Sequence, residues 1–194
     1  PGRTADMMSE DCLYLGIATP ATSVNDRLPV MVWIHGGGFQ TEWYGGDLWK
    51  YLAMRGVVIV SVEYRTGALG FMAHPELSKE NKEGHSGNYG ILDQICALQW
   101  VQRNIANFGG DASNVTIFGE SAGAISCSIL CASPLAKGLF HRCISQSGGS
   151  FAPWSDKPRS LGLDASQKGA ESQGLAFQKH LKKKNLKQLR QMDP

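Results

Sequence analysis

Residues 115–123 read Val-Thr-Ile-Phe-Gly-Glu-Ser-Ala-Gly, and the rest of the chain can be interpreted outward from them. Four residues with strand character lead into Gly-x-Ser-x-Gly, and a run of small residues follows. This order is typical of a nucleophile elbow, a sharp strand-to-helix turn that exposes a serine above a sheet. Gly119 and Gly123 suit such a turn, because a side chain at either position would keep strand and helix apart. We therefore predict that Ser121 is a nucleophile.

The bulk composition is that of a globular protein. The chain has 194 residues, 42% of them hydrophobic, and a formal net charge of +2, so it can build a core and favours no strongly charged partner. We find no apolar run of membrane-spanning length and no signal sequence at the start, although a leader upstream of Pro1 stays open. Five cysteines without metal-ligand spacing leave the redox compartment open. We expect four of them to be buried as small hydrophobic residues: Cys96, Cys127, Cys131 and Cys143.

Strands and helices are predicted to alternate along the chain. Apolar runs indicate strands at residues 12–18, 29–34, 57–62, 115–118 and 143–146, and a three- and four-residue apolar spacing indicates a helix from Ile91 to Ile105. A second helix is expected to run from the elbow to about Ala132, and the glycine-rich residues 66–90 are expected to form a long surface excursion. The pattern predicts an α/β fold with a mostly parallel central sheet flanked by helices. Because ligands bind beyond the carboxyl ends of parallel strands, Gly36–Gly38, Ser121 and residues 147–150 should gather at one edge.

A second motif supplies the chemistry that a serine nucleophile needs. Attack on an ester carbonyl builds negative charge on oxygen, and backbone N–H groups aimed at that oxygen stabilise it. The residue after the nucleophile, Ala122, offers one N–H, and the loop Gly36–Gly38, directly after a predicted strand, offers others. Glycines let the backbone approach a substrate closely. A merely flexible turn is the alternative for this loop, but the elbow downstream favours an oxyanion hole.

Five segments together resemble a known family. They are Ser-Glu-Asp-Cys-Leu-Tyr-Leu at 9–15, His-Gly-Gly-Gly-Phe at 35–39, Gly-Asn-Tyr-Gly-Ile-Leu-Asp-Gln at 87–94, the run 108–123, and Ser-Pro-Leu-Ala-Lys-Gly-Leu-Phe at 133–140. This set resembles the type B carboxylesterase/lipase family, the group of α/β-hydrolases that includes the cholinesterases. The resemblance implies one truncated α/β-hydrolase domain over residues 1–194 whose C-terminal part is absent. The core match covers residues 9–150, and a basic helical tail covers residues 160–194.

The resemblance also implies roles for individual residues. Ser121 would be the acyl-forming nucleophile of a serine carboxylesterase, and Gly37, Gly38 and Ala122 would form the oxyanion hole. Glu120 is similar to a family glutamate that assists the charged catalytic state without being the triad acid; a partly solvated turn carboxylate is the alternative. The implied substrate is a small-molecule ester, with no cofactor or metal. The family favours a secreted or periplasmic location.

The chain departs from the family pattern at a few positions. Gly16 and Glu63 stand where the family usually has Asn, and Thr66 stands where an aliphatic residue is usual. None of the three touches the proposed chemistry. Cys12 matches a cysteine that pairs with an upstream partner in many secreted relatives, but no cysteine precedes it here, so that bridge cannot form within this chain.

The acid and the histidine of a catalytic triad are not found after Ser121. In this fold the order is Ser, then Asp or Glu, then His. Only His141 and His180 follow, and both are interpreted as non-catalytic, while His35 is interpreted as a structural residue of the glycine loop. The downstream carboxylates lie in no matching motif: Asp156, Asp164, Glu171 and Asp193. We therefore expect little or no ester turnover from this chain alone. A non-catalytic cholinesterase-like interaction domain is the alternative function.

The basic C-terminal residues and a set of aromatic side chains can each be interpreted in two ways. Residues 151–194 carry 9 Lys and Arg against 4 Asp and Glu, but they lack interleaved aromatic residues, so a solvated basic face is favoured over binding of nucleic acid. Five aromatic side chains adjoin the predicted active edge and could equally line a pocket or fill the core: Phe39, Trp43, Tyr44, Phe151 and Trp154.

Overall fold

The computed structural model describes residues 9–41, 48–149 and 169–192. Its strands are β1 (Leu15–Ala18), β2 (Leu28–Ile34), β3 (Val58–Val62), β4 (Gly110–Glu120) and β5 (Arg142–Gln146). Its helices are α1 (Leu48–Ala53), α2 (Gly67–Phe71), α3 (Pro75–Glu80), α4 (Tyr89–Asn104), α5 (Ala122–Ala132), α6 (Ala170–His180) and α7 (Leu186–Leu189). Among these helices, none combines the length and apolar character that a bilayer span requires.

The five strands form one sheet in the order β1-β3-β2-β4-β5. Strands β2 to β5 pair in parallel, and β1 pairs with β3 in antiparallel orientation. The prediction of a mostly parallel sheet flanked by helices is confirmed. Strand β2 lies between β3 and β4 and has side chains covered on both faces, which explains its continuous apolar run.

Each face of the sheet has its own apolar cluster. On one face, alternate residues of β2 (Val30, Val32 and Ile34) join a large core with buried residues of α4 and α5. On the other face, the intervening Trp33 packs against Trp49 of α1 and Phe118 of β4, with ring centroids 5.2 Å and 5.0 Å away. The period-2 alternation of a strand thus divides one apolar run between two layers.

Residues 66–90 differ from the predicted surface excursion. They contain α2 and α3, and Phe71 and His74 are buried. His74 caps α3 by accepting a hydrogen bond from the Glu76 backbone N–H at Nδ1 (3.1 Å), while its Nε2 lies 2.6 Å from Gln178 Oε1 of α6. The segment is ordered by tertiary contacts, which its glycine-rich composition does not reveal.

The prediction of four buried cysteines is wrong for three of them. Cys127 is fully buried in the core, whereas Cys96, Cys131 and Cys143 are exposed. Cys96 follows the buried Ile95, and the 100° turn between successive helical residues places its side chain on the outer face of α4. Cys143 lies on β5, an edge strand of the sheet, where every residue is exposed.

The basic tail packs against α3. The Leu186 backbone N–H donates to both carboxylate oxygens of Glu76 at 3.3 Å, and Arg190 forms two hydrogen bonds with Glu80 at 2.7 Å and 2.8 Å. Among the described residues of the tail, four lysines remain exposed: Lys179, Lys182, Lys184 and Lys187.

Candidate active site

Ser121 lies at a strained turn between β4 and α5. Its φ of 55° and ψ of −118° are unusual for a residue with a side chain, and they reverse the chain between the last residue of β4 and the first of α5. The turn is fixed from both sides, because the Ser121 N–H donates to Gln146 O (2.9 Å) and the Ser121 carbonyl accepts from the Ile125 N–H (3.1 Å). The Ser121 hydroxyl does not cap α5. The side chain is partly exposed and is not used to stabilise its own helix.

The turn needs two glycines for steric reasons. A Cβ on Gly119 would lie 2.5 Å from the carbonyl carbon of Gly123 and 2.8 Å from Ile34 O. A Cβ on Gly123 would overlap Ile34 O and lie 2.9 Å from His35 O. All these neighbours are backbone atoms, which cannot rotate away as a flexible side chain can. The close approach of α5 to β2 therefore depends on the absence of both side chains.

The glycine loop, residues 36–38, lies beside Ser121. A Cβ on Gly36 would lie 3.3 Å from Ser121 Cβ and 3.2 Å from Glu120 Oε2. Gly37 and Gly38 are exposed and have φ values of 99° and 64°, which glycine adopts far more readily than other residues. Gly36 lies beside Ser121 because the sheet pairs Ile34 with Gly119, and each of these residues is two positions before the corresponding site residue.

The loop after β5 reaches the same turn. A Cβ on Gly148 would lie 2.5 Å from Ser121 O, and Gly119 is paired with Ser145 across β4 and β5. The prediction that the segments after β2, β4 and β5 share one edge is therefore confirmed for Gly36–Gly38, Ser121 and residues 147–149. Ser150 lies outside the described residues.

His35 holds the start of the glycine loop. It is 2% exposed, its Nδ1 lies 2.8 Å from Gly36 O, and its ring stacks on Tyr64 with centroids 4.1 Å apart and an interplanar angle of 13°. The Tyr64 hydroxyl donates to His35 O at 2.7 Å. These contacts support the structural role that the sequence suggested for His35.

The histidines after Ser121 do not approach it through any described contact. His141 Nδ1 accepts a hydrogen bond from the Val115 N–H (3.1 Å), six residues before Ser121 along β4, which corresponds to about 20 Å of extended chain. His180 is the last residue of α6. This helix packs near residues 66–90, because Gln178, two residues before His180, is hydrogen-bonded to His74. Glu171 lies in the first turn of α6. Asp156, Asp164 and Asp193 lie outside the described residues.

Of the five candidate pocket aromatics, one can be assigned. Phe39 is 6% exposed and packs against Phe71 with ring centroids 4.8 Å apart, so it belongs to the core. The other four lie outside the described residues: Trp43, Tyr44, Phe151 and Trp154.

A model of the carboxylesterase family matches residues 1–193. The chain belongs to the carboxylesterase family.

Its relatives include a bacterial and a mammalian esterase. This carboxylesterase-family chain is 50% identical over 157 residues to fumonisin B1 esterase of Sphingopyxis macrogoltabida, covering 78% of the chain and 28% of that protein. It is 55% identical over 150 residues to carboxylesterase 1F of Mus musculus, covering 75% of the chain and 25% of that protein. The chain thus spans about a quarter of the length of these curated relatives.

Solved structures show the same fold. A structure described as a PNB esterase is 41% identical, with a TM-score of 0.75 over 95% of the chain and 36% of that structure's chain. A thermophilic PNB esterase is 42% identical, with a TM-score of 0.72 over 91% of the chain and 34% of its own. This carboxylesterase-family chain therefore has the fold of the corresponding part of an α/β-hydrolase.

Two residues near the site, Tyr64 and Arg65, were not identified as candidates from the sequence. Tyr64 and Arg65 follow β3, and both backbone and side chain of Arg65 bind Asp93 of α4. These hydrogen bonds raise the pKa of the Arg65 guanidinium above its ordinary value. Both residues lie within three positions of the end of a buried strand, which could have flagged them, but only the pairing of β3 with β2 shows that Tyr64 contacts His35.

Proposed function

We propose that this chain supplies the nucleophile and oxyanion hole of a serine carboxylesterase. The observation that supports this most directly is the close approach of Gly36 to Ser121, which places a glycine loop beside a strained serine at the carboxyl edge of a parallel sheet. The membership of the carboxylesterase family agrees with ester hydrolysis. The substrate class that we propose is a small-molecule carboxylic ester, because the relatives are named as esterases and carboxylesterases.

The proposed reaction has two halves. Ser121 Oγ forms a bond to the ester carbonyl carbon while a general base takes its proton, and the tetrahedral oxyanion accepts hydrogen bonds from the N–H groups of Gly37, Gly38 and Ala122. Collapse breaks the carbon–oxygen bond to the alcohol, which leaves with that proton. Water then attacks the acyl-serine in the same way and releases the carboxylic acid.

Several described features suit these roles. Ala122 is the first residue of α5, and the first N–H groups of a helix have no partner within the helix. Gly38 is exposed, and no heavy atom of the described residues lies within 4 Å of a Cβ built on it, which suits a loop that a substrate approaches. Glu120 Oε2 lies beside Gly36, and we propose that this carboxylate stabilises the protonated base.

Fluorophosphonate labelling of the full-length protein, meaning the whole product of the gene that encodes this chain, tests the proposal. We expect labelling at Ser121, loss of labelling and of p-nitrophenyl ester hydrolysis in Ser121→Ala, and retention of both in Ser128→Ala. Ser128 is a suitable control because it lies on the same helix and its hydroxyl donates to the backbone carbonyl of Ala124, one turn earlier in α5. A folded full-length protein that neither labels nor hydrolyses esters would contradict the proposal and favour a non-catalytic interaction domain.

The chain alone should be nearly inactive. Within the described residues, four histidine rings bond groups other than Ser121: His35, His74, His85 and His141. Without a base, the serine hydroxyl remains a poor nucleophile. Hydrolysis of p-nitrophenyl acetate by the purified 194-residue chain, abolished by Ser121→Ala, would show that this expectation is wrong.

A further inference from the structure

Two hydrogen bonds hold the glycine loop at its two ends. The Tyr64 hydroxyl donates to the carbonyl of His35, the residue before Gly36, at 2.7 Å. The Gly67 N–H donates to the carbonyl of Phe39, the residue after Gly38, at 2.6 Å. Both donors come from the short segment after β3. Three consecutive glycines have a large conformational freedom to lose, so their geometry must be imposed by such external contacts.

The Tyr64 side chain is itself held rigidly. It is 4% exposed, and its ring lies nearly parallel to the His35 ring. Burial raises the pKa of the Tyr64 phenol, and the charge of the neighbouring Glu63 raises it further. The hydroxyl therefore keeps its proton throughout the physiological pH range and acts as a permanent donor to His35 O.

The segment that provides Tyr64 is fixed independently of the loop. The Arg65 N–H, Nε and Nη2 donate to the Asp93 carboxylate at 3.1, 2.8 and 2.7 Å. Asp93 is on α4, and its side chain is 8% exposed. The segment that carries Tyr64 is thus also anchored outside the glycine loop, by a hydrogen-bonded ion pair to a 16-residue helix.

We propose that Tyr64 is a positioning residue for the oxyanion hole, an inference that rests on the proposed function. A peptide unit is planar, so fixing the His35 carbonyl also fixes the Gly36 N–H on the opposite side of the same plane. Together with the Phe39 carbonyl, which is held at the other end of the loop, that fixed plane restricts where the N–H groups of Gly37 and Gly38 can be directed. Tyr64 does not touch the substrate and acts through the His35–Gly36 peptide.

Removing the hydroxyl should impair catalysis more than substrate binding. In the full-length protein we expect Tyr64→Phe to lower kcat about tenfold, less than the 10²–10³-fold effect of deleting an oxyanion donor, because the loop is loosened and not removed. KM should stay within about twofold. The Ki of a trifluoromethyl ketone, whose adduct with a serine places an oxyanion in the hole, should rise by the same factor as kcat/KM falls. Tyr51→Phe is the matched control, because Tyr51 is 68% exposed on α1.

Two further measurements separate positioning from folding. Rates are normalised to active sites titrated with a phosphonate, so that partial unfolding cannot lower kcat. Incorporation of 4-aminophenylalanine at position 64 restores a donor and should restore kcat and Ki, whereas 4-fluorophenylalanine has a similar size and cannot donate. This second pair replaces Tyr64→Phe if that variant does not fold.

The outcomes distinguish the inference from the function. If the full-length protein shows no hydrolysis that depends on Ser121, the proposed function fails and the role of Tyr64 fails with it. If hydrolysis depends on Ser121 but Tyr64→Phe keeps kcat and Ki within twofold of the wild type, only the positioning role is overturned. A variant with lower thermal stability but unchanged kcat and Ki per titrated site would likewise overturn it.

Discussion

Replacing Gly123 by alanine should disrupt the junction of β2 and α5. The new Cβ would overlap Ile34 O and lie 2.9 Å from His35 O, whereas a carbon and a carbonyl oxygen are relaxed only at about 3.3 Å or more. Both obstacles are backbone atoms at the end of the central strand, so the helix must move by about 1 Å. Overpacking of this kind costs about 1–3 kcal/mol, and the rigidity of both partners places the expected loss of unfolding free energy near 3 kcal/mol.

Catalysis should fall further than stability. The displacement separates Ser121 from the glycine loop, and a misplacement of about 1 Å can reduce the rate about 10²-fold. We would measure urea unfolding by circular dichroism and ester hydrolysis by the full-length protein. Gly169→Ala is the control, because its φ is negative and, in the part of the chain that the structure describes, no heavy atom lies within 4 Å of a Cβ there. The steric argument would be refuted if Gly123→Ala unfolded within about 0.5 kcal/mol of the wild type.

An ion pair, a core leucine and a surface carboxylate each offer a further test of the fold. Arg65→Ala removes both guanidinium hydrogen bonds to Asp93 and keeps only the one from the backbone N–H. It should cost about 2–3 kcal/mol in urea unfolding, below the full value for a buried pair, because the Arg65 side chain is 35% exposed and the backbone hydrogen bond remains. Arg103→Ala, on the same helix as Asp93, should be near neutral. Leu98→Ala, at a core position 1% exposed, should cost about 2–5 kcal/mol in the same measurement. Hydrogen bonds from the Ser113 side chain and N–H lower the pKa of Asp111 in the folded state. Ionised Asp111 therefore stabilises the fold above its unfolded-state pKa of about 3.9, and this stabilisation is lost as the pH falls through its lower folded-state pKa. Asp111→Asn should therefore reduce the loss of stability between pH 6 and pH 3, and an identical pH dependence in the variant would contradict this.

The sequence pattern predicted those strands well whose side chains are buried on both faces of the sheet. The apolar runs at residues 29–34 and 57–62 match β2 and β3 to within one residue at each end, because buried central strands must be apolar on both faces. Strand β4 begins five residues earlier than predicted, at Gly110. Its first residues are partly polar, and Gly110 pairs with Leu28 before an irregularity in the register, so no apolar period marks them.

The missed features depend on neighbours distant in the sequence. Helix α2 contains two glycines in five residues, and the packing of Phe71 on Phe39 helps to order it. The burial of a cysteine depends on which side of a helix is covered and on where the sheet ends, and neither can be read from local spacing. At the site, the motifs predicted that Ser121 and the glycine loop would meet, but the contact of Tyr64 with His35 requires β3 to lie next to β2.

The central place of β2 in the sheet has a consequence for the order of folding. Its two neighbours are far apart in sequence, because β3 begins 24 residues after β2 ends, at Val58, and the elbow-bearing half of β4 pairs from Val115, more than 80 residues after β2. Closing the longer loop costs more entropy, and distant pairings slow folding. During synthesis on the ribosome, the backbone groups on the β4-facing edge of β2 therefore remain without their strand partner until β4 has been synthesised. We expect pulsed hydrogen exchange during refolding to protect the amides of β3 before those of residues 115–119, so that the serine turn is among the last parts of the sheet to form.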